Sequence, residues 1–336
     1  MSIPLRSKNS ANSLIFTISR IFGVFPLDRN MNPSMGLKMY SYSVAVTLSI
    51  VGAFCISKPR EVPFTTFHPF FPFVYAACEN LMIAALTTIN IISLSKNSKV
   101  ISNIAILQSA KPKQMYRPAV IVSAFLFVNS VIHLTDSFQR GRISEWPEIF
   151  FTWIYFTQIL LVPLQFCSFL IIIQVRLAAL QPSGFKETDI LIHYELLRLL
   201  RQLNRIYGWQ LLILVIQSFS KVLMSTYWFI LAGNKRSNLR KAAFVVTALS
   251  RSYELLLIVR WCMATTAAVD KFNTDLLRNL RGSKFLCANK KLYLYANMRN
   301  SIVFTASGFF SLNYRLVTSM LTAATTYLVI MLQFSS

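Results

Sequence analysis

Acidic residues are scarce in this chain of 336 residues: 12 Asp and Glu stand against 34 Lys and Arg, and charged residues of both signs make up only 14%. That excludes a disordered, solvating chain, which has few apolar and many charged residues. Histidine is rarer still. The three, His68, His133 and His193, lie far apart with no Cys, Asp or Glu at ligand spacing, so no metal site is expected. The five cysteines, Cys55, Cys78, Cys167, Cys262 and Cys287, are too few and too scattered for a disulfide-stapled secreted domain. Four of them fall in the apolar runs described below, where packing is their expected role. Nine dispersed glycines form neither a phosphate loop nor a Gly-x-Ser-x-Gly elbow. No catalytic residue and no cofactor is expected.

What the chain does have is apolar surface. Hydrophobic residues reach 54% and the mean hydropathy is +0.51, alongside a net charge of +22. A nucleic-acid binder of this charge would be polar and Lys/Arg-dense on a modest core, whereas here the apolar excess comes in runs near membrane-spanning length. A hydrocarbon layer about 30 Å thick takes about 20 helical residues. Seven runs qualify: Tyr40–Ser57, Phe70–Leu94, Pro118–Phe138, Ile149–Val175, Leu211–Leu231, Ala242–Val269 and Asn313–Phe334. The expected fold class is an all-α integral membrane protein with seven transmembrane helices.

Orientation follows from the cations, because Lys- and Arg-rich loops stay cytoplasmic during insertion. The leader, second, fourth and sixth loops together hold 22 of them, and the opposite set of loops holds 8. The N-terminus is therefore expected in the cytoplasm and the C-terminus outside. The cations then read as topology signal and anionic-lipid contact, with no need for a nucleic-acid partner. The leader is not a convincing secretory signal, since Arg20 interrupts its apolar run from Leu14 to Leu27, and it reads instead as a cytoplasmic amphipathic helix. No Asn-x-Ser/Thr sequon occurs.

Two cytoplasmic regions are long enough to fold. Between Phe185 and Gly208, Ile190, Leu191, Tyr194, Leu197, Leu200, Leu203 and Ile206 recur at helical spacing with Arg198, Arg201 and Arg205 on the other side. This predicts a helix running into the fifth span. A second helix is expected from about Leu292 to Thr305, and together the two suggest a cytoplasmic helical anchor.

Ionisable residues inside spans are costly and mark function unless they pair or snorkel. They are Glu79, Asp136, Lys221, Arg251, Glu254, Arg260 and Arg315. Arg251 and Glu254, three apart on one face, pair or serve a ligand. In the outer halves of the spans they are joined by Tyr75, His133, Trp153, Tyr155, Gln158, Tyr227 and Trp228. Aromatic walls with a few polar groups suit a small organic ligand, and they equally make interfacial belts. The candidate pocket is thus Tyr75, Glu79, His133, Asp136, Trp153, Gln158, Tyr227, Trp228, Arg251 and Glu254.

The last span is the most informative. Thr318, Thr322, Thr326, Val329 and Gln333 step by four, four, three and four and so share one helix face, while Leu321, Leu328 and Leu332 face elsewhere. Such a stripe wants either another helix, as Ser and Thr commonly provide at helix contacts, or water. In the second case copies of this helix line a pore, with Gln333 or Val329 narrowing it near the outside.

The run Thr326-Tyr327-Leu328-Val329-Ile330-Met331-Leu332-Gln333-Phe334 fits Thr-Tyr, five apolar residues, Gln-Phe, and resembles the signature of the insect gustatory receptors. The segment Phe304 to Phe310 followed by Asn313-Tyr314-Arg315, the segment Asn204 to Leu212, and the leader's Ser19 to Leu27 resemble further segments of that family. The resemblance implies a ligand-gated cation channel, assembled as a homotetramer or with related receptors around a pore lined by the last helix. It also implies a plasma-membrane location in sensory neurons and a small-molecule tastant bound among the other six helices. Gln333 falls on the family's outer-constriction glutamine, and Thr326, Tyr327 and Phe334 on its other signature positions. Two features depart from the family pattern. The chain is short, and Leu328 stands where the sugar-sensing branch tends to carry Glu, which favours bitter or repellent ligands.

The implied division is a leader over 1–39, a six-helix ligand-sensing region over 40–269 that includes the extension 185–208, an anchor segment over 270–312 and the pore helix over 313–336. A G-protein-coupled receptor predicts the opposite orientation and Asp-Arg-Tyr and Asn-Pro-x-x-Tyr motifs that are absent here. A transporter predicts internal repeats, and prolines such as Pro163 do not recur in two halves.

Overall fold

The computed structural model describes residues 14–57, 70–107, 146–180, 187–231, 238–282 and 301–333, with Ile121, Ala124, Phe127, Val128, Val131, Ile132 and Thr135 between them. Helices dominate: α1 (Leu14–Ile21), α2 (Met35–Ser57), α3 (Phe70–Lys96), α4 (Ser98–Ile106), α5 (Trp146–Ala179), α6 (Glu187–Leu231), α7 (Asn238–Gly282) and α8 (Tyr314–Gln333). Among the described residues five helices contain stretches long and apolar enough to cross a membrane: Val74–Lys96, Thr157–Ala179, Thr188–Leu231, Lys241–Arg278 and Tyr314–Gln333. α2 covers the expected first span. Within 118–138 the seven described residues are helical, and the rest of that expected span lies outside the described residues.

α5 is the hub. Its apolar window is 89% buried, against 33% for α3 and none for α8, and α1 to α4, α6 and α7 all pack against it. α6 and α7 form the long axis of the fold. Each has 45 residues, which is about 68 Å of helix at 1.5 Å per residue and over twice the hydrocarbon thickness. The pair therefore extends well past one face of any bilayer, and His193 of α6 stacks on Phe272 of α7 in that extension, ring centroids 3.9 Å apart and 13° from parallel. The helix expected from Phe185 into the fifth span is thus one continuous element from Glu187. α7 runs unbroken past Val269 to Gly282, where a loop was expected, because Phe272 and Leu276 are buried one turn apart while Lys271 and Arg278 stay exposed.

The leader is built into the bundle. Arg20, which breaks its apolar run, donates from Nε to Leu27 O and from Nη2 to Asp28 O, both at 2.8 Å, and so closes the turn after α1. Val24, Phe25 and Leu27 are thereby fully buried, and Asn90 of α3 donates to Val24 O at 2.8 Å.

The helix expected over Leu292–Thr305 is not present in its described part. Residues 301–304 have no regular structure, and Thr305–Ala306 (β1) pairs antiparallel with Phe310–Ser311 (β2). The burial pattern explains why: Ile302, Phe304 and Ala306 are buried and Val303 is exposed, a period of two that suits an extended chain. The chain then reverses at Ser307 and Gly308, with φ of 53° and 84°, and Phe309 N donates to Ala306 O at 3.0 Å.

This hairpin clasps α6. Thr305 N donates to Asn204 Oδ1 at 3.1 Å, and a Cβ placed on Gly208 would lie 3.2 Å from Ser307 N. Two segments that carry the family resemblance, 100 residues apart in the chain, therefore touch at one junction on α6. Asn313 then starts α8, its Oδ1 accepting from Leu316 N at 3.1 Å as an N-cap. Asn204→Ala leaves a half-buried N–H without its partner and is expected to cost about 1–3 kcal/mol. Gly208→Val drives a branched side chain into backbone and should lower the melting temperature further. Fluorescence-detected size exclusion after heating reads both, and wild-type melting for Gly208→Val would contradict the clasp.

Candidate functional site

Water cannot solvate a charge inside a hydrocarbon layer, so each ion in a span must find a partner or a cavity. Glu79 of α3 and Lys221 of α6 lie within the apolar spans of their helices and meet at 2.5 Å, with 19% and 15% of their side chains exposed. Tyr75, one turn before Glu79, puts its ring 5.7 Å from the Lys221 ammonium, within cation–π range. Both Glu79 and Arg251 lie within electrostatic reach of Tyr75. Arg251 of α7 donates from Nη1 to Glu254 Oε2 at 2.7 Å, and this pair is only 2% and 1% exposed.

The structure therefore brings Tyr75 and Glu79 together at Lys221, and pairs Arg251 with Glu254. The two ion pairs differ in kind. Arg251 and Glu254 are sealed in, so their pairing is first a condition for burying either. Glu79 and Lys221 are reached from outside the core, and with Tyr75 they present a carboxylate, an ammonium and an aromatic face, enough to orient a small polar molecule.

Other expected pocket residues sit elsewhere. Gln158 is buried and donates from Nε2 to Phe22 O at 2.8 Å, which ties α5 to the leader. Tyr227 is fully buried, edge-on to Trp228 with centroids 5.5 Å apart. His133, Asp136 and the side chain of Trp153 lie outside the described residues, as does Phe334. Lys221 was legible as an in-span ion but not as a pocket residue. The signal for it is that the second and fifth spans each carry a single ion, of opposite sign.

α8 carries the second set. It has no buried residue, although its 20 residues reach about 30 Å. It rests along α6, where Phe219 meets Tyr327 edge-on at 6.4 Å, and touches α7 only lightly. Thr318, Thr322 and Thr326 are exposed, and their hydroxyls bond back to Arg315 O, Thr318 O and Thr322 O of their own helix at 2.9–3.1 Å. Val329 and Gln333 continue the same exposed face. The three threonine hydroxyls are thus satisfied within their own helix.

A bundle of long apolar helices, with paired ions inside and one helix left bare, defines a multi-span helical membrane protein with two distinct polar features. The sequence profile of the 7tm chemosensory receptor family matches residues 113–336. The chain belongs to that family, which comprises receptors and not enzymes, and the likeness to insect seven-helix chemoreceptors read from the residues stands. No curated protein matches the sequence. Among solved structures, the insect olfactory receptor OR5 from Machilis hrabei shares the fold at a TM-score of 0.70 and 14% identity, covering 95% of this chain and 96% of that one. The same receptor in complex with eugenol aligns at a TM-score of 0.67, again at 14% identity and with coverage of 95% and 96%.

Lys221→Met strands Glu79 in a span. A charge left in a span without its counter-ion is costly, so surface expression should fall, while Glu79→Gln with Lys221→Met should recover most of it. Flow cytometry of surface-tagged receptor checks this, and equal expression of the single and double variants would show that the pair does not hold α3 to α6.

Proposed function

We propose that the chain is a gustatory-type receptor: a ligand-gated, non-selective cation channel in the plasma membrane of sensory neurons, opened by a small-molecule tastant. The single observation that carries this reading is α8. A helix of membrane-spanning length that has no fully buried residue, and that aligns threonines and a glutamine on one exposed face, is suited to an aqueous axis shared with other copies. The Thr326 to Phe334 signature favours the gustatory branch, and Leu328 favours bitter or repellent compounds over sugars.

In this reading the chain crosses the membrane seven times with its N-terminus in the cytoplasm, in keeping with the 22 to 8 division of cations. The leader over 1–39, the sensing region over 40–269 with its extension 185–208, the anchor over 270–312, and the pore helix over 313–336 then have separate tasks. Four copies, or this chain with related receptors, surround the pore. The extensions of α6 and α7 beyond the membrane give the assembly its anchor. The eugenol complex of the olfactory receptor supports a small organic ligand by analogy, and Tyr75, Glu79 and Lys221 are the groups to receive it. Ligand that binds the open arrangement more tightly shifts the pore helices toward it.

Whole-cell recording with a tastant panel, in cells whose G-protein signalling is blocked, tests the reading directly. Ligand-evoked cation current should persist under the block, and Gln333→Ala should change its conductance or leak. Responses abolished by the block would point to a coupled receptor. Glu79→Gln with Lys221→Met, which strands neither charge, should raise the tastant concentration for half response at matched surface level, and an unchanged dose curve would remove the pair from the ligand site.

A further inference from the structure

The start of α2 and the end of α3 enclose a groove of about 410 Å³ that none of the roles above uses. Its polar lining is Ser34, Lys38, Tyr42, Ser95 and Lys96, with no carboxylate among the residues around it. Neither lysine makes an ion pair among the described residues. Lys38 stands in the first turns of α2, where the helix dipole disfavours a cation, and no acid occupies that turn to offset it. The Ser95 hydroxyl is buried without a hydrogen-bond partner. Two unopposed ammonium groups and several hydroxyls in one groove are complementary to a phosphate.

The surroundings select the source of that phosphate. Met35 and Ile92 line the groove and are 72% and 48% exposed. From Met35 an exposed apolar stripe continues along α2 through Met39, Val46 and Ile50, which share the groove's helix face at steps of four, seven and four. A soluble phosphate has no use for such a track, whereas acyl chains do.

We propose that this groove is a binding site for an anionic phospholipid, with the headgroup phosphate between Lys38 and Lys96 and the chains along the α2 stripe. Given the cation asymmetry, the lipid belongs to the cytoplasmic leaflet. Tyr40, on the same stretch of α2, donates to Ile21 O at 2.6 Å, so lipid held here steadies the junction between the leader and the first span. The site is independent of the pore reading and requires only that α2 and α3 lie in a membrane.

Native mass spectrometry of the full chain, delipidated in detergent and titrated with phosphatidic acid, tests the site. Phosphatidic acid should bind in preference to phosphatidylcholine. At about a fivefold loss per basic residue, Lys38→Gln and Lys96→Gln should each weaken binding about fivefold, and the pair about 25-fold. Lys99→Gln, exposed on α4 and outside the groove, should change nothing, and Lys96→Arg should retain binding. If the double variant does not fold, the single variants and the Lys96→Arg rescue decide the matter. Wild-type phosphatidic acid binding in the folded Lys38→Gln and Lys96→Gln variants would overturn the proposal. So would glycerol phosphate competing as tightly as the lipid, which would mark a site for soluble phosphate.

Discussion

Inside a hydrocarbon layer no solvent completes a hydrogen bond or screens a charge, and that constraint orders most of this molecule. Glu79 is tolerated because Lys221 meets it, and Arg251 because Glu254 does. The threonines of the spans return their hydroxyls to carbonyls three or four residues back, as Thr87, Thr226 and Thr265 do. Against this background of internal satisfaction α8 differs: its threonines are likewise bonded within the helix, but the face that carries them is turned away from the rest of the chain. The proposed aqueous axis shared between copies gives that arrangement a use.

The junction on α6 gives the bare helix a mechanical connection. Asn204 and Gly208 hold the hairpin over Thr305–Ser311, Phe304 packs edge-on against Phe166 of α5 at 6.3 Å, and Asn313 begins α8 two residues beyond the hairpin. Any displacement of α8 at its first turn is therefore felt where the membrane part of α6 passes into its extension. Further along α6, Lys221 holds Glu79 and α3. One helix thus touches both polar features of the molecule, which is the physical condition for a ligand near Tyr75 and Glu79 to bias the position of α8.

Much of this was legible in the residues because a bilayer imposes a length. Apolar runs of about 20 residues coincide with five described helices long enough to cross a membrane, and the stepping of Thr318, Thr322 and Thr326 puts the stripe on one face. The features that were missed follow from other rules. The extension of α7 was hidden because Asp270 to Gly282 is charged, although Phe272 and Leu276 already mark a buried face. The hairpin was read as helix because Ile302, Phe304 and Ala306 are compatible with either period over so short a stretch, and only the reversal at Ser307–Gly308 decides. Gln158 looked like a ligand group by its place in a span, but its amide holds Phe22 O, a contact across 136 positions that no local pattern reveals. Lys221 and Glu79 required pairing single charges between two spans.

The central claim is that the threonine face of α8 borders water at the axis of an assembly. Cysteine scanning from Leu316 to Gln333, with a membrane-impermeant thiol reagent applied from outside during recording, tests it most directly. The account predicts that cysteines replacing Thr322, Thr326, Val329 and Gln333 react and reduce the current, while those replacing Leu328 and Leu332 do not. Uniform protection of that face, or modification that leaves the current intact, would contradict it.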